Sequence, residues 1–132
     1  MLVEDNPADV GLVRKALEEH GVQGHLVVVA DGETAIQLVE DVDAQLMVCP
    51  NLAIIDLNLP RKSGRAVLER FRRSDLCRAI PIVILSSSDA QQDRADGERL
   101  GANRYVRKPS TLAEFLSLGA IFKATIGACR NK

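Results

Sequence analysis

Leu52-Ala53-Ile54-Ile55-Asp56-Leu57-Asn58-Leu59-Pro60 is an apolar run closed by a carboxylate and followed by a loop that ends on proline. A short run with no polar alternation is a strand covered on both faces, which points to a parallel sheet with helices on either side. Asp56 then stands at the carboxyl end of that strand, where open parallel sheets gather their ligands. Toward the N-terminus, Leu2-Val3 ends in Glu4-Asp5. Toward the C-terminus, Ile82-Val83-Ile84-Leu85 ends in Ser86-Ser87-Ser88, and Tyr105-Val106 leads to Lys108-Pro109. If all these ends meet in one crevice, it holds three carboxylates, a hydroxyl and a cation. Carboxylates that close together repel unless a hard divalent cation sits among them, and oxygen ligands with room for water favour Mg²⁺.

The punctuation between these runs sets the remaining elements. Asn6, with Pro7 next and Asp9 three residues on, reads as a helix N-cap, and Val10, Val13 and Leu17 make the stripe that Gly21 ends. Leu26-Val27-Val28-Val29 reads as a buried strand and Asp31-Gly32 as a turn. A helix follows from Glu33 to about Val42, with Ala35, Leu38 and Val39 inward. Ser63 caps a helix reaching about Arg73, with Val67, Leu68 and Phe71 on one side. Pro81 to Leu85 is a strand, Ala90 to Leu100 a polar helix closed by Gly101, and Arg104 to Val106 the last strand. Thr111-Leu112-Ala113-Glu114 is a capping box, and Phe115, Ile121, Phe122 and Ile126 share a face of the helix it opens. Five such units with right-handed crossovers make an α/β, doubly wound (βα)5 sandwich.

Composition is that of a soluble globular domain: 132 residues, 46% hydrophobic, 27% charged, net charge −1. That length suits one domain covering 1–132, with no room for an output domain. The balance of charge gives no reason to expect nucleic acid or an anionic membrane as partner. No run is long enough to span a bilayer, and the start lacks the basic and apolar regions of a signal peptide, so a cytoplasmic location is expected. Cys49, Cys77 and Cys129 are odd in number and widely spaced, with only His20 and His25 as companions; neither a disulfide framework nor a zinc site is expected. Arg61, Lys62, Arg65, Arg70, Arg72 and Arg73 read as a solvated helix face.

Val3-Glu4-Asp5-Asn6, Asp56-Leu57-Asn58-Leu59-Pro60, Ser86 and Lys108-Pro109, in this order and separation, resemble the receiver domain of two-component response regulators. The runs from Asp5 to Asp9, from Asp56 to Arg65, and Gly101-Ala102-Asn103 are similar to single-domain regulators that serve bacterial phytochrome-type histidine kinases. The resemblance implies a flavodoxin-like sheet of order 2-1-3-4-5. It also implies that Asp56 attacks a phosphoryl phosphorus in line and becomes an aspartyl phosphate, with Mg²⁺ or Mn²⁺ held by Glu4, Asp5, Asp56 and the Asn58 backbone carbonyl. Lys108 pairs first with Asp56 and then with a phosphoryl oxygen, aimed inward by a cis bond to Pro109. Ser86 and Tyr105 form the switch that carries the state of the site to helix 4, strand 5 and helix 5. A sensor histidine kinase, phytochrome-like, is the implied donor, and a second copy docked through that face the implied partner.

Two other classes compete. A phosphatase of the haloacid dehalogenase type also starts from a strand-end Asp, but needs a second carboxylate where this chain has Asn58. A degenerate receiver acting as a constitutive binding module would be expected to lack Asp56, Lys108 or the acidic pair, and this chain keeps them all.

Overall fold

The computed structural model describes residues 1–130, with side chains to residue 128. The elements are β1 (Leu2–Val3), α1 (Pro7–Glu19), β2 (Val28–Val29), α2 (Gly32–Asp43), β3 (Ala53–Ile55), α3 (Gly64–Arg72), β4 (Ile82–Ser86), α4 (Gln91–Arg99), β5 (Arg104–Arg107) and α5 (Leu112–Arg130). All strand pairs are parallel, and the sheet order is β2-β1-β3-β4-β5, as the resemblance implied.

Side chains alternate across a strand, so β1, β3 and β4 each feed both cores. Leu2, Ile54, Val83 and Leu85 pack with Val13, Phe115, Leu118 and Phe122 on the side of α1 and α5. Val3, Ile55, Ile82 and Ile84 pack with Ala35, Val39, Val67 and Phe71 on the side of α2 and α3. Each large side chain fully withdrawn from water, Phe71 and Phe122 among them, contributes roughly 1.5–3 kcal/mol of transfer free energy.

The helix starts follow the expected caps. Asn6 accepts from Ala8 N at 2.9 Å, Ser63 from Ala66 N at 3.3 Å, and Thr111 from Glu114 N at 3.2 Å. Asp31, expected in a turn, instead caps α2 and accepts from Thr34 N at 2.7 Å. An Asp-Gly pair signals a turn, but Gly32 also admits a close approach at the first helical position, where its amide donates to Pro60 O.

Three further expectations change. The second strand is not buried along its length: Val27 and Val28 are exposed, Leu26 is half-buried and only Val29 is fully buried, because β2 is the edge of the sheet and lacks a neighbour on one side. Arg61, Lys62 and Arg73 are exposed as expected, but the other three basic residues are braces rather than part of a solvated face. Arg65 pairs with Asp93 and Asp96 of α4, Arg70 with Asp43 of α2, and Arg72 donates to the carbonyls of Arg78, Ile80 and Gly101. The guanidinium fork reaches several acceptors at once, and that property is invisible in a count of charges. Finally, Cys49 and Cys77 are joined as a disulfide, because parallel pairing brings the segment before β3 beside the turn after α3. The side chain of Cys129 lies outside those described. His20 and His25 are both remote from the carboxylate crevice, and His25 lines a cavity near Met1.

Candidate functional site

The site is built at the C-terminal edge of β1, β3, β4 and β5. Asp56 follows β3 directly; its amide donates to Val3 O at 3.0 Å, which locks its height to that of Glu4 at the end of β1. Its Oδ1 accepts from Asn58 N at 3.0 Å, and its Oδ2 lies 2.9 Å from Lys108 Nζ. Asp56 is buried but for 6% of its surface. A carboxylate this enclosed must be compensated.

Behind it, the chain leaves β3 and re-enters as α3 at close quarters. A Cβ on Gly64 would stand 2.1 Å from Asp56 O, so only glycine allows the helix to start there. We expect Gly64→Ala to cost about 3 kcal/mol in a urea titration, as overpacking against backbone does. Because the strain falls on Asp56 itself, chemistry at that residue should slow as well. Wild-type stability in this variant would show that the loop yields freely.

Lys108 is the hub. Its amide donates to Ser86 O at 2.7 Å, so the β4–β5 ladder aims the side chain into the crevice. There Nζ meets Glu4 Oε1 at 2.6 Å, Asp9 Oδ2 at 2.8 Å and Asp56 Oδ2 at 2.9 Å. The bond to Pro109 is trans, where the cis form was expected. The strand hydrogen bond and three carboxylates orient the lysine without it. Burial opposes the charge on Lys108, but the hydrogen bonds to Asp9, Glu4 and Asp56 together outweigh it and raise the pKa, keeping the ammonium protonated.

Asp9 belongs to the site, although nothing local in the sequence marks it. An acid in the first turn of a helix is explained by the helix dipole alone, and only the fold shows that this turn overhangs the crevice.

Glu4 is 2% exposed, and burial pushes its carboxyl up to about 7, with Asp56 adding to the rise and Lys108 opposing it. Oε2 accepts from the amides of Asp5 and Asn6, at 3.0 and 3.3 Å. Oε1 is ion-paired with the Lys108 ammonium at 2.6 Å. Glu4, Asp5 and Asp56 each present a carboxylate oxygen within 4.8 Å of the others. Asp5 is exposed, so the group opens to solvent. Such an all-oxygen set, with water access, fits a hard divalent cation.

Ser86 is fully buried at the end of β4, and its Oγ accepts from Ser88 N at 3.2 Å. Ser88 in turn donates to Asp93, which also holds Arg65, and accepts from Ala90 N at 3.2 Å on entry to α4. Tyr105 is half-buried in β5; its hydroxyl donates to Ser88 O at 2.8 Å, and Arg94 lies over the ring at 4.8 Å. A path of direct contacts therefore runs from Ser86 through Ser88 to Tyr105 and α4.

The crevice thus gathers Asp56, the acidic group, Lys108 and Ser86 at one edge. Comparison with known proteins assigns the arrangement: residues 1–118 match the response regulator receiver domain. The chain belongs to that family. Response regulator Rcp1 of Synechocystis sp. is 31% identical over 119 residues, which are 89% of this chain and 81% of Rcp1. The Mn²⁺-bound crystal structure of Rcp1 superposes with a TM-score of 0.83, covering 93% of this chain and 89% of that one. The phosphorylated cyanobacterial phytochrome response regulator RcpA superposes with a TM-score of 0.78 at 33% identity, covering 96% and 87%. Some relatives are longer proteins: the match spans 42% of the transcriptional regulatory protein TrcR of Mycobacterium tuberculosis, at 33% identity. A receiver of this kind acts in phosphorelay signalling, and the alternative of a degenerate binding module is not favoured.

Proposed function

We propose that the chain accepts a phosphoryl group on Asp56 from a sensor histidine kinase and passes the signal on through a protein surface. The observation that carries this reading is the triple engagement of Lys108, which holds the Asp56 carboxylate beside the Glu4 and Asp5 oxygens. The Asp56 oxygen attacks phosphorus, the bond to the donor nitrogen breaks, and the electron pair leaves with the histidine. Lys108 then follows the new charge onto a phosphoryl oxygen. Glu4, Asp5, Asp56 and the Asn58 carbonyl would hold Mg²⁺ or Mn²⁺, which offsets the repulsion between the carboxylates and the incoming phosphoryl group. Likeness to RcpA, and to the bacteriophytochrome response regulator RtBRR at 33% identity and a TM-score of 0.76, supports a phytochrome-type kinase as donor.

For output, Ser86 turns toward the phosphoryl group and Tyr105 follows, altering the face of α4, β5 and α5. A second copy is the proposed partner there, with Glu98 and Arg104 on that face available for pairing across a twofold axis. No helix among the described residues is long and apolar enough to cross a membrane, and we place the protein in the cytoplasm with its kinase's catalytic part.

Incubation with Mg²⁺ and a small acyl phosphate, followed by intact mass, tests the reading: a single added phosphoryl group supports it, and none rejects it. Sedimentation with and without beryllofluoride reports self-association on the same sample.

The metal set gives a graded expectation. Asp5→Asn should weaken Mg²⁺ binding more than Glu4→Gln, because Asp5 is proposed as the direct ligand and Glu4 as one acting through water. The affinities of wild type and Asp5→Asn should fall as pH drops below about 7, where Glu4 takes up its proton and competes with the metal, whereas Glu4→Gln should lack that fall. Isothermal titration at two pH values measures this; equal affinity in wild type and Asp5→Asn would remove Asp5 from the site.

A further inference from the structure

We propose that Cys49 and Cys77 form an exchangeable thiol–disulfide site at the end of the sheet opposite Asp56. The two sulfurs are bonded, with their Cα atoms 5.7 Å apart, within the usual span of disulfides. Their surroundings are unequal. Cys77 is fully buried, and its amide donates to Ser74 Oγ at 2.9 Å; Ser74 donates to Asp43, which Arg70 also holds at 2.8 Å. That side is anchored whether or not the bridge exists. Cys49 is half-buried and lies just after Leu46, Met47 and Val48, all exposed. It also forms part of the wall of a cavity of about 430 Å³, with Met1, Leu26, Val48 and Pro50. The cavity lets a small thiol reach Cys49 and not Cys77.

The exchange follows from that asymmetry. A low-molecular-weight thiolate, of the glutathione class, attacks Cys49 Sγ; the S–S bond breaks, and its electron pair leaves on Cys77 Sγ. A second thiolate attacks the small-molecule sulfur of the mixed disulfide. The products are the small disulfide and the Cys49 thiolate, and the protein sulfurs exchange protons with solvent. Two thiols are oxidised and one bridge is reduced. The small disulfide drives the reverse.

The bridge spans a sequence separation of 28, and the closed loop contains β3, Asp56 and α3. Oxidation therefore ties the segment carrying Leu46 and Val48 to the turn after α3. Reduction releases the Cys49 side alone, freeing an apolar segment while the anchored Cys77 side stays in place. In a reducing compartment the site is open, and oxidative load closes it.

The test uses the full chain with Cys129→Ser, so that only two thiols remain. Equilibrated with oxidised glutathione, it should resist alkylation and lack the mass of two hydrogens. With reduced glutathione, both cysteines should alkylate. Loss of the loop constraint should lower the melting temperature by about 10 °C, and amide exchange in 46–49 should quicken at least about tenfold on release of the segment. Cys49→Ser should behave as the reduced protein in either buffer, while reduction of the unsubstituted bridge reads the same effect without depending on that variant. Full alkylation under oxidised glutathione overturns the proposal. So does a bridge whose reduction changes neither melting nor exchange.

Discussion

Asp56→Asn is expected to take up no phosphoryl group from a small acyl phosphate in Mg²⁺, a loss of roughly 10⁴-fold or more in rate, as removal of a nucleophile produces. The substitution keeps the shape of the side chain and its acceptor for Asn58 N. It removes one of the three charges that face Lys108, leaving Glu4 and Asp9 to hold the ammonium. The melting temperature should thus stay near that of wild type, which separates lost chemistry from lost fold. Intact mass and peptide mapping measure both arms. Labelling of the variant at the wild-type rate, or at Ser86 or Ser87, would show that phosphorylation does not depend on Asp56.

Lys108→Met should have the largest effect on stability. It strips Glu4, Asp9 and Asp56 of their shared cation, and breaking a buried pair from one side costs about 3 kcal/mol or more. The cost depends on pH. Burial has raised the Glu4 carboxyl from 4.5 to about 7. Its protonated form is favoured in the folded state, so that contribution is full below pH 4.5 and is lost as pH rises through 7. Without metal, the variant should be far less stable than wild type at pH 8 and closer to it at pH 5.5. Mg²⁺ should bind the variant more tightly and restore stability at pH 8, because it supplies the missing positive charge. Urea titrations at both pH values, with and without Mg²⁺, decide this; equal stability of the two proteins at pH 8 would mean that Lys108 is not the counterion of the crevice.

Much of this architecture can be read directly from the chain. Continuous apolar strands, the caps at Asn6 and Ser63, and strand-end acids give the doubly wound sheet and most of the crevice, because each depends on residues close in sequence. The parts that escape such reading depend on distant residues. Asp9 looks complete as a first-turn acid until β5 brings Lys108 to it. Arg65 looks solvated until α4 lies beside α3. Cys49 and Cys77 fit no short spacing motif, yet neighbouring β-strand units bring them together. Val27 and Val28 look buried because periodicity does not say which strand is the edge.

The fourth helix has an unusual energetic character. Gly97 is its only buried residue, its start at Ala90 has no side-chain cap, and its ties to the body are polar: Arg65 to Asp93 and Asp96, and Tyr105 to Ser88 just before it. Little apolar area must be exposed to detach it, so its local opening free energy should lie well below that of global unfolding. Screening weakens ionic ties and leaves dispersion untouched. The amide protons of α4 should therefore exchange first among the helices and faster still in high salt, at a rate governed by ionic strength more than by temperature. A segment loosened by ions alone can be repositioned by the arrival of one new charge.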